Sequence, residues 1–429
     1  NADFDLEGEL DVGIGSATIH GEFDLASTGE LTIDGGSFTG DKSHSTSWNT
    51  NISGAFNLSS GLFEITYNHI IFEPSCIDNI TGGMIRAGYS LIADTPGVFE
   101  PSAGIVESIG LSGTNAMFWL VPGNHLHNLL INRDPSTSVS TGSAYLRIMN
   151  DLEINSGNLY SPSPFTTIYV GGDWTNNVGD AGFTEGNNSV IFFGSGLSDI
   201  TTDETFYDLV IDKTNTSYNA VDIFADNTIH VLNDLDITDG CLEMASNSTL
   251  DVDNDLTIAS GAGLNAASDN NLNILVGGDW DNDNTSYSTT YGFNPGTSST
   301  VTFNGSTLQN LYTDCSQEDF FNLIINRPVN DAVYLRDNIH VYGDLFVLNG
   351  TIYNPLELQH ELWGDVTVED DGTLNFWYGG TTTLRGTNDQ TLSSYDHNEM
   401  SFSHLIIDKT GSKGNGSKSQ TVTVTNNGI

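Results

Sequence analysis

Asn233-Asp-Leu-Asp-Ile237 is followed 21 residues on by Asn254-Asp-Leu-Thr-Ile258, and 23 residues after Asn254 comes Gly277-Gly-Asp-Trp280. The same pattern stands at Asn150-Asp-Leu-Glu-Ile154, Gly343-Asp-Leu-Phe-Val347 and Gly364-Asp-Val-Thr-Val368, with looser copies at Gly8-Glu-Leu-Asp-Val12 and Gly21-Glu-Phe-Asp-Leu25. Its form is Gly or Asn, an acid, then apolar-x-apolar, and in most copies a glycine a few residues later. The apolar positions alternate with period two, as in half-buried strands. Each strand is too short to bury a core alone, so the pattern demands stacking of like on like. A spacing of about 20 to 23 residues is one rung of a parallel β-helix, with short strands joined by Gly, Asn and Asp corners. The sequence therefore predicts an all-β parallel β-solenoid of about 19 rungs.

A longer unit overlies the rung. His127-Asn-Leu-Leu-Ile-Asn-Arg133, Tyr207-Asp-Leu-Val-Ile-Asp-Lys213, Phe321-Asn-Leu-Ile-Ile-Asn-Arg327 and Ser403-His-Leu-Ile-Ile-Asp-Lys409 recur at intervals of 80, 114 and 82 residues. Val170-Gly-Gly-Asp-Trp174 matches Val276-Gly-Gly-Asp-Trp280, which marks Trp174 and Trp280 as repeat residues. We expect a divergent portion at 1–126 and a regular one at 127–429, divided as 127–206, 207–320, 321–402 and a truncated 403–429. The last unit stops mid-repeat, so the expectation is a longer native protein. Tandem β-sandwiches are the alternative fold. Recurrence inside the 80-residue unit, and one interval longer by about a rung and a half, argue against them.

The chain has 429 residues, with 56 acidic and 11 basic, for a net charge of −45. Such a polyanion repels nucleic acid and anionic lipid. No run of about 20 apolar residues is present, so no membrane insertion is expected. Cys76, Cys241 and Cys315 are far apart and form no CxxC pair, which removes zinc and thioredoxin-type readings. Salt or divalent cations should relieve the self-repulsion.

The succession Gly277-Gly-Asp-Trp280, Gly292-Phe-Asn-Pro-Gly296, Val301-Thr-Phe-Asn-Gly-Ser306, Gln309-Asn-Leu311 and Phe321-Asn-Leu-Ile-Ile-Asn-Arg327 resembles the repeats of very large secreted surface proteins. These are the adhesin and gliding proteins that Bacteroidota export by the type IX route. The resemblance implies an extracellular stalk or adhesin. It covers residues 127–429 well and 1–126 loosely, and the chain lacks a recognisable C-terminal sorting domain.

Four of the eleven basic residues, Arg133, Lys213, Arg327 and Lys409, share one repeat position. They are expected to be structural, as strand-end charges paired with carboxylates. Asp279, Asp281 and Asp283 resemble the start of a calcium loop, and Asp251, Asp253 and Asp255 form a second acidic run. Neither completes the motif: position six after Asp279 is not Gly and position twelve is Thr290. No cofactor other than calcium suggests itself. The least regular stretch holds Phe118, Trp119, His125 and His127, where a ligand surface is expected. Basic residues are too few for an acidic-sugar lyase, so no catalytic set is assigned. The expected function is an extended structural or adhesive segment of a surface protein, acting as rigid stalk and contact surface. Its partners would be an extracellular surface, a glycan or neighbouring copies. A carbohydrate-binding or polysaccharide-degrading β-helix and an extracellular filament subunit are the alternatives.

Overall fold

The computed structural model describes residues 4–41, 49–110, 115–161, 166–214, 217, 220–266, 271–286, 291–328, 331–395, 400–409 and 421–426. It is a parallel β-solenoid of about 17 turns, 61% strand and 1% helical. Rungs of the predicted length and strand direction are present, two fewer than the spacing suggests.

The chain divides into two compact units, Asn1–Phe193 with Ser198–Tyr207, and Gly194–Leu197 with Asp208–Ile429. In the second, one rung consists of Thr249–Val252, Leu256–Ile258 and Gly263–Asn265. Each strand pairs in parallel with its equivalent in the next rung: Asn273–Val276, Trp280–Asn282 and Gly292–Asn294. Identical alternation excludes a one-residue slip, which would turn every apolar side chain outward. Ile229, Leu250, Ile274, Val301, Leu323 and Leu345 consequently stand one above another, each at most 1% exposed. Every such side chain taken from water contributes about 1.5–3 kcal/mol.

The first unit follows the same plan although its motifs are looser. Glu9–Val12, Glu30–Gly40, Ala55–Ile65, Ile77–Ala87 and Ala103–Gly110 pair successively in parallel. Its interior is aromatic. Phe23, Phe38, Phe63, Phe56, Phe72 and Phe99 form a chain of ring contacts with centroids 4.3 to 6.0 Å apart. The motif is looser there because rings replace the Leu and Ile that recur in 127–429.

The acid of the rung motif is a staple. In the second unit Asp234 Oδ1 accepts the backbone N–H of Asp255 (3.2 Å), Asp255 Oδ1 that of Asp279 (2.7 Å), and Asp279 Oδ1 that of Asn310 (2.6 Å). Asn322, Asp344 and Asp365 repeat the arrangement toward Asp344, Asp365 and Thr391. In the first unit Asp151 and Asp173 accept from Asp173 and Asp199. A corner N–H that would otherwise lack a partner is thus satisfied, by a charge-assisted bond at each aspartate and a neutral one at Asn322.

The residue before the acid follows from that staple. An asparagine there adds a second bond, as when Asn254 Nδ2 donates to Asp234 Oδ1 at 2.6 Å. A glycine instead leaves the space empty: a Cβ on Gly278 would lie 2.3 Å from Asp255 Oδ1 and 2.5 Å from the backbone carbon of Asn254. Side-chain movement cannot relieve the backbone clash. Gly278→Ala is therefore expected to cost about 1–3 kcal/mol, the usual penalty of overpacking. A denaturation midpoint equal to the parent's would contradict the staple geometry.

The repeated cations turn inward. Arg133, Lys213 and Arg327 are at most 2% exposed. Arg133 Nη1 donates to Ser108 Oγ (3.0 Å) and the Ile109 carbonyl (2.8 Å). Arg327 donates to the Thr307 carbonyl and Gln309 Oε1, and Lys409 Nζ to the carbonyls of Arg385 (2.7 Å) and Asn388 (3.2 Å). Arg327 and Lys409 thus end on carbonyl and amide oxygens rather than on the expected surface carboxylates. Burial lowers the pKa of Arg133, Arg327 and Lys409. Opposite each of the first three cations the next rung's strand carries one extra residue (Asn155, Thr238 or Leu348), and its motif glycine (Gly157, Gly240 or Gly350, φ +76 to +88) lies against the cation's Cβ. All three cysteines are free, with Cys241 buried. Among the described residues no helix is long and apolar enough to cross a membrane.

Candidate functional site

The most elaborate polar constellation lies inside the stack and occurs twice. In the first unit Glu204 Oε2 accepts Trp174 Nε1 (2.6 Å) and Asn176 Nδ2 (2.9 Å), and Oε1 accepts the Thr205 N–H (3.1 Å). Phe183 and Phe206 pack on Trp174 at 5.0 and 5.2 Å. In the second unit Asn282 Nδ2 donates to both oxygens of Glu318 (3.0 and 3.3 Å), and Phe293 and Phe320 pack on Trp280 at 4.9 and 5.6 Å. Burial dominates both acids, raising Glu204 to about 7 and Glu318 to about 8 against the donors that favour the charged form. Both are sealed at 3% and 2% exposure, so neither meets a substrate. The sequence marks the two tryptophans, but the acids were missed. Their signal is position: Glu204 and Glu318 stand three residues before Tyr207 and Phe321 of the long repeat. Asn124, three before His127, is buried there too and clasps Val98, Phe99, Ala93 and Thr95 through four backbone bonds.

The calcium candidates do not converge as proposed. Asp255 and Asp279 are staples. Asp281 points outward between Thr257 and Tyr312, and burial and then the nearby Asp283 and Asp314 charges raise its pKa. Among the described residues the one set of three or more ligating side chains with atoms within 4.8 Å is His230, Asp251 and Asp253. His230 Nε2 lies 3.2 Å from Asp253 Oδ2. Parallel register places His230 directly beside Asp251, a neighbour that spacing alone did not reveal. Calcium prefers six to eight oxygens, more than these residues offer.

The expected ligand surface at 118–127 is divided. Phe118 is 1% exposed and belongs to the core, which corrects its assignment, because strand alternation sends it inward and Trp119 outward. Trp119 is 40% exposed. His125 is half-buried with Nε2 3.2 Å from the Pro101 carbonyl, and burial lowers its pKa. His127 is half-buried beside Gly104 and Ile105.

A more exposed aromatic group lies in the second unit, where the stack loses its regularity. Strand Val366–Leu384 turns a corner at Trp377-Tyr-Gly-Gly380. The preceding rung matches it residue for residue, since Tyr353 pairs with Asn375 and Gln359 with Thr381. The following rung does not: Phe376 pairs with Phe402 and Thr381 with His404, so four residues stand against Ser403 alone. The corner overhangs its shorter successor. Trp377 is 71% and Tyr378 59% exposed. With Pro355, Leu356, Glu357 and Gly379 they line an open cleft of about 640 Å³. Tyr378 continues an outer column of rings, 6.3 Å from Tyr353, which lies 5.1 Å from Tyr334. No family model, no curated protein and no solved structure matches this chain.

Proposed function

We propose that the chain is an extended structural and adhesive segment of a larger extracellular surface protein, spacing and presenting a contact surface rather than catalysing a reaction. One observation carries this reading: most polar residues that define the repeat are spent on holding a rung to its neighbour. The aspartate staples, the buried cations and the positive-φ glycines all serve that end. The two acids raised furthest, Glu204 and Glu318, are enclosed, and the outer faces carry the excess negative charge. A stack built this way resists extension because each rung must break its parallel pairings and its staple.

Pulling the full chain by its ends in a single-molecule force experiment tests the spacer role. The expected record is a series of resistant steps near one rung of 21 residues. Each step would release roughly 70 Å of contour at ~3.5 Å per residue. A chain that extends without such steps, as a flexible linker does, would overturn the reading. Release of sugar ends from polysaccharides by the purified chain would overturn its non-catalytic part.

A further inference from the structure

We propose that the overhanging corner Trp377–Gly380, with Pro355, Leu356 and Glu357 of the preceding rung, is a binding site for a neutral glycan. The proposal rests on the contact-surface reading above and names the ligand class of that surface.

Exposure is the first ground. Phe376, one residue away, is 1% exposed, whereas Trp377 and Tyr378 are among the most exposed large side chains described. Large rings held in water at one place mark an interaction site more often than chance decoration. The second ground is register. The bulges opposite Arg133, Lys213 and Arg327 shift the register by one residue, whereas this corner is three residues too long for its successor. The overhang therefore contributes nothing to stacking there, and its outer face stays open. The third is support: Tyr378 is buttressed edge-on by Tyr353, and Gly379 (φ +75) lets Glu357 cross the step. A Cβ on Gly379 would come within 3.1 Å of Glu357 Cγ.

Chemistry then selects the occupant. The face of an aromatic ring is its negative side and attracts the weakly positive C–H face of a pyranose. The Glu357 carboxylate has acceptor oxygens for the hydroxyls around such a ring. The cleft volume lies within the ~300–1,000 Å³ of small-ligand sites. With a net charge of −45 the chain repels uronates and sulfated sugars, which leaves uncharged glycans. A proline-rich peptide needs aromatic slots spaced to its three-residue turn of about 9 Å, wider than the 5.1 and 6.3 Å between the rings of the Tyr334–Tyr353–Tyr378 column.

The test uses the full chain on an array of laminarin, xyloglucan, xylan, mannan and dextran, with acidic polysaccharides and proline-rich and basic peptides alongside. Binding of at least one neutral glycan is expected. It should weaken by about tenfold or more (at least one decade of Kd) in Trp377→Ala and in Tyr378→Ala, and persist when salt is raised, since no ion pair is involved. Thermal melting of Trp377→Ala should match the parent, because the side chain is mostly in water. No neutral glycan bound, equal binding by both variants, or retention of peptides or acidic polysaccharides alone would overturn the proposal. The force record tests the spacer independently, so either reading can fail without the other.

Discussion

Trp280→Ala is expected to destabilise the second unit by about 3–5 kcal/mol, the range for deleting a buried aromatic. Trp280 is fully buried, between Leu256 of the rung before and Leu311 of the rung after. Its indole also touches Phe293, Phe303 and Phe320, at centroid distances of 4.9, 6.4 and 5.6 Å. The backbone around it is fixed by parallel ladders on both sides, so the cavity cannot collapse cheaply. Removing the ring also uncovers the Asn282–Glu318 pair, whose polar atoms then lose their shelter without gaining bulk water. Stacked repeats need not unfold in one step, so amide exchange of strands Asn273–Val276, Trp280–Asn282 and Asn322–Asn326 is the suitable readout. Protection there should fall most, and Trp280→Phe should restore much of it. A loss below about 1 kcal/mol would mean that the ring is not the anchor of the repeat.

Stability should fall as pH rises through the range set by the buried acids. Glu318 sits at about 8 against an ordinary 4.5, and Glu204 at about 7. Burial is the main cause for each. Asn282, Thr313 and Trp280 around Glu318 oppose it, while Asp319 adds to it. Around Glu204, Asn176, Trp174 and Thr205 oppose it and Asp180 adds to it. An acid with a raised folded pKa holds its proton in the native state after the unfolded chain has lost it. The native state then binds more protons, so stability decreases with pH. Glu318 imposes no penalty below about pH 4.5, and its full penalty is reached above about 8. At roughly 1.4 kcal/mol per unit the whole effect is on the order of 5 kcal/mol. The acid limb has a different origin. His360, 1% exposed with its ring tilted against Phe376 at 4.6 Å, is lowered by burial to about 3. Its contribution is present above about 6.5 and is lost as pH falls toward 3. Glu318→Gln should remove the larger share of the alkaline limb, leaving the smaller share of Glu204 and the acid limb in place. Parallel pH profiles for variant and parent would show that Glu318 does not carry the proton.

Much of this fold was readable in particular residues. Leu256 and Ile258 had to face one way and Thr257 the other, and the 21-residue return to the same pattern forced stacking. Aspartates at the corners were legible as turn residues, but their bond to the N–H of the next rung appears only when rungs are superposed. Arg327 looked like surface charge because a lone basic residue in an acidic chain normally remains solvated. Period-two alternation instead turns it inward in phase with Leu323 and Ile325, onto the Thr307 carbonyl and the Gln309 amide oxygen. Glu318 and His360 were hidden for a similar reason, since nothing local distinguishes a buried acid or imidazole from an exposed one. Trp377 and Tyr378 escaped notice because their exposure comes from the shortness of a different rung, around Ser403.

Parallel, in-register stacking of consecutive rungs is the claim on which all of this depends, and paired spin labels measure it most directly. Thr228, Thr249 and Asn273 are outward positions aligned across three successive rungs. Labels at 228 and 249, on cysteines introduced after Cys76, Cys241 and Cys315 are replaced, should sit one strand spacing apart, about 4.8 Å between Cα atoms. Strong dipolar broadening is expected for that pair, and clearly weaker broadening for labels at 228 and 273, two spacings apart. Absence of broadening at 228 and 249, or equal broadening in both pairs, would contradict the solenoid and everything inferred from its register.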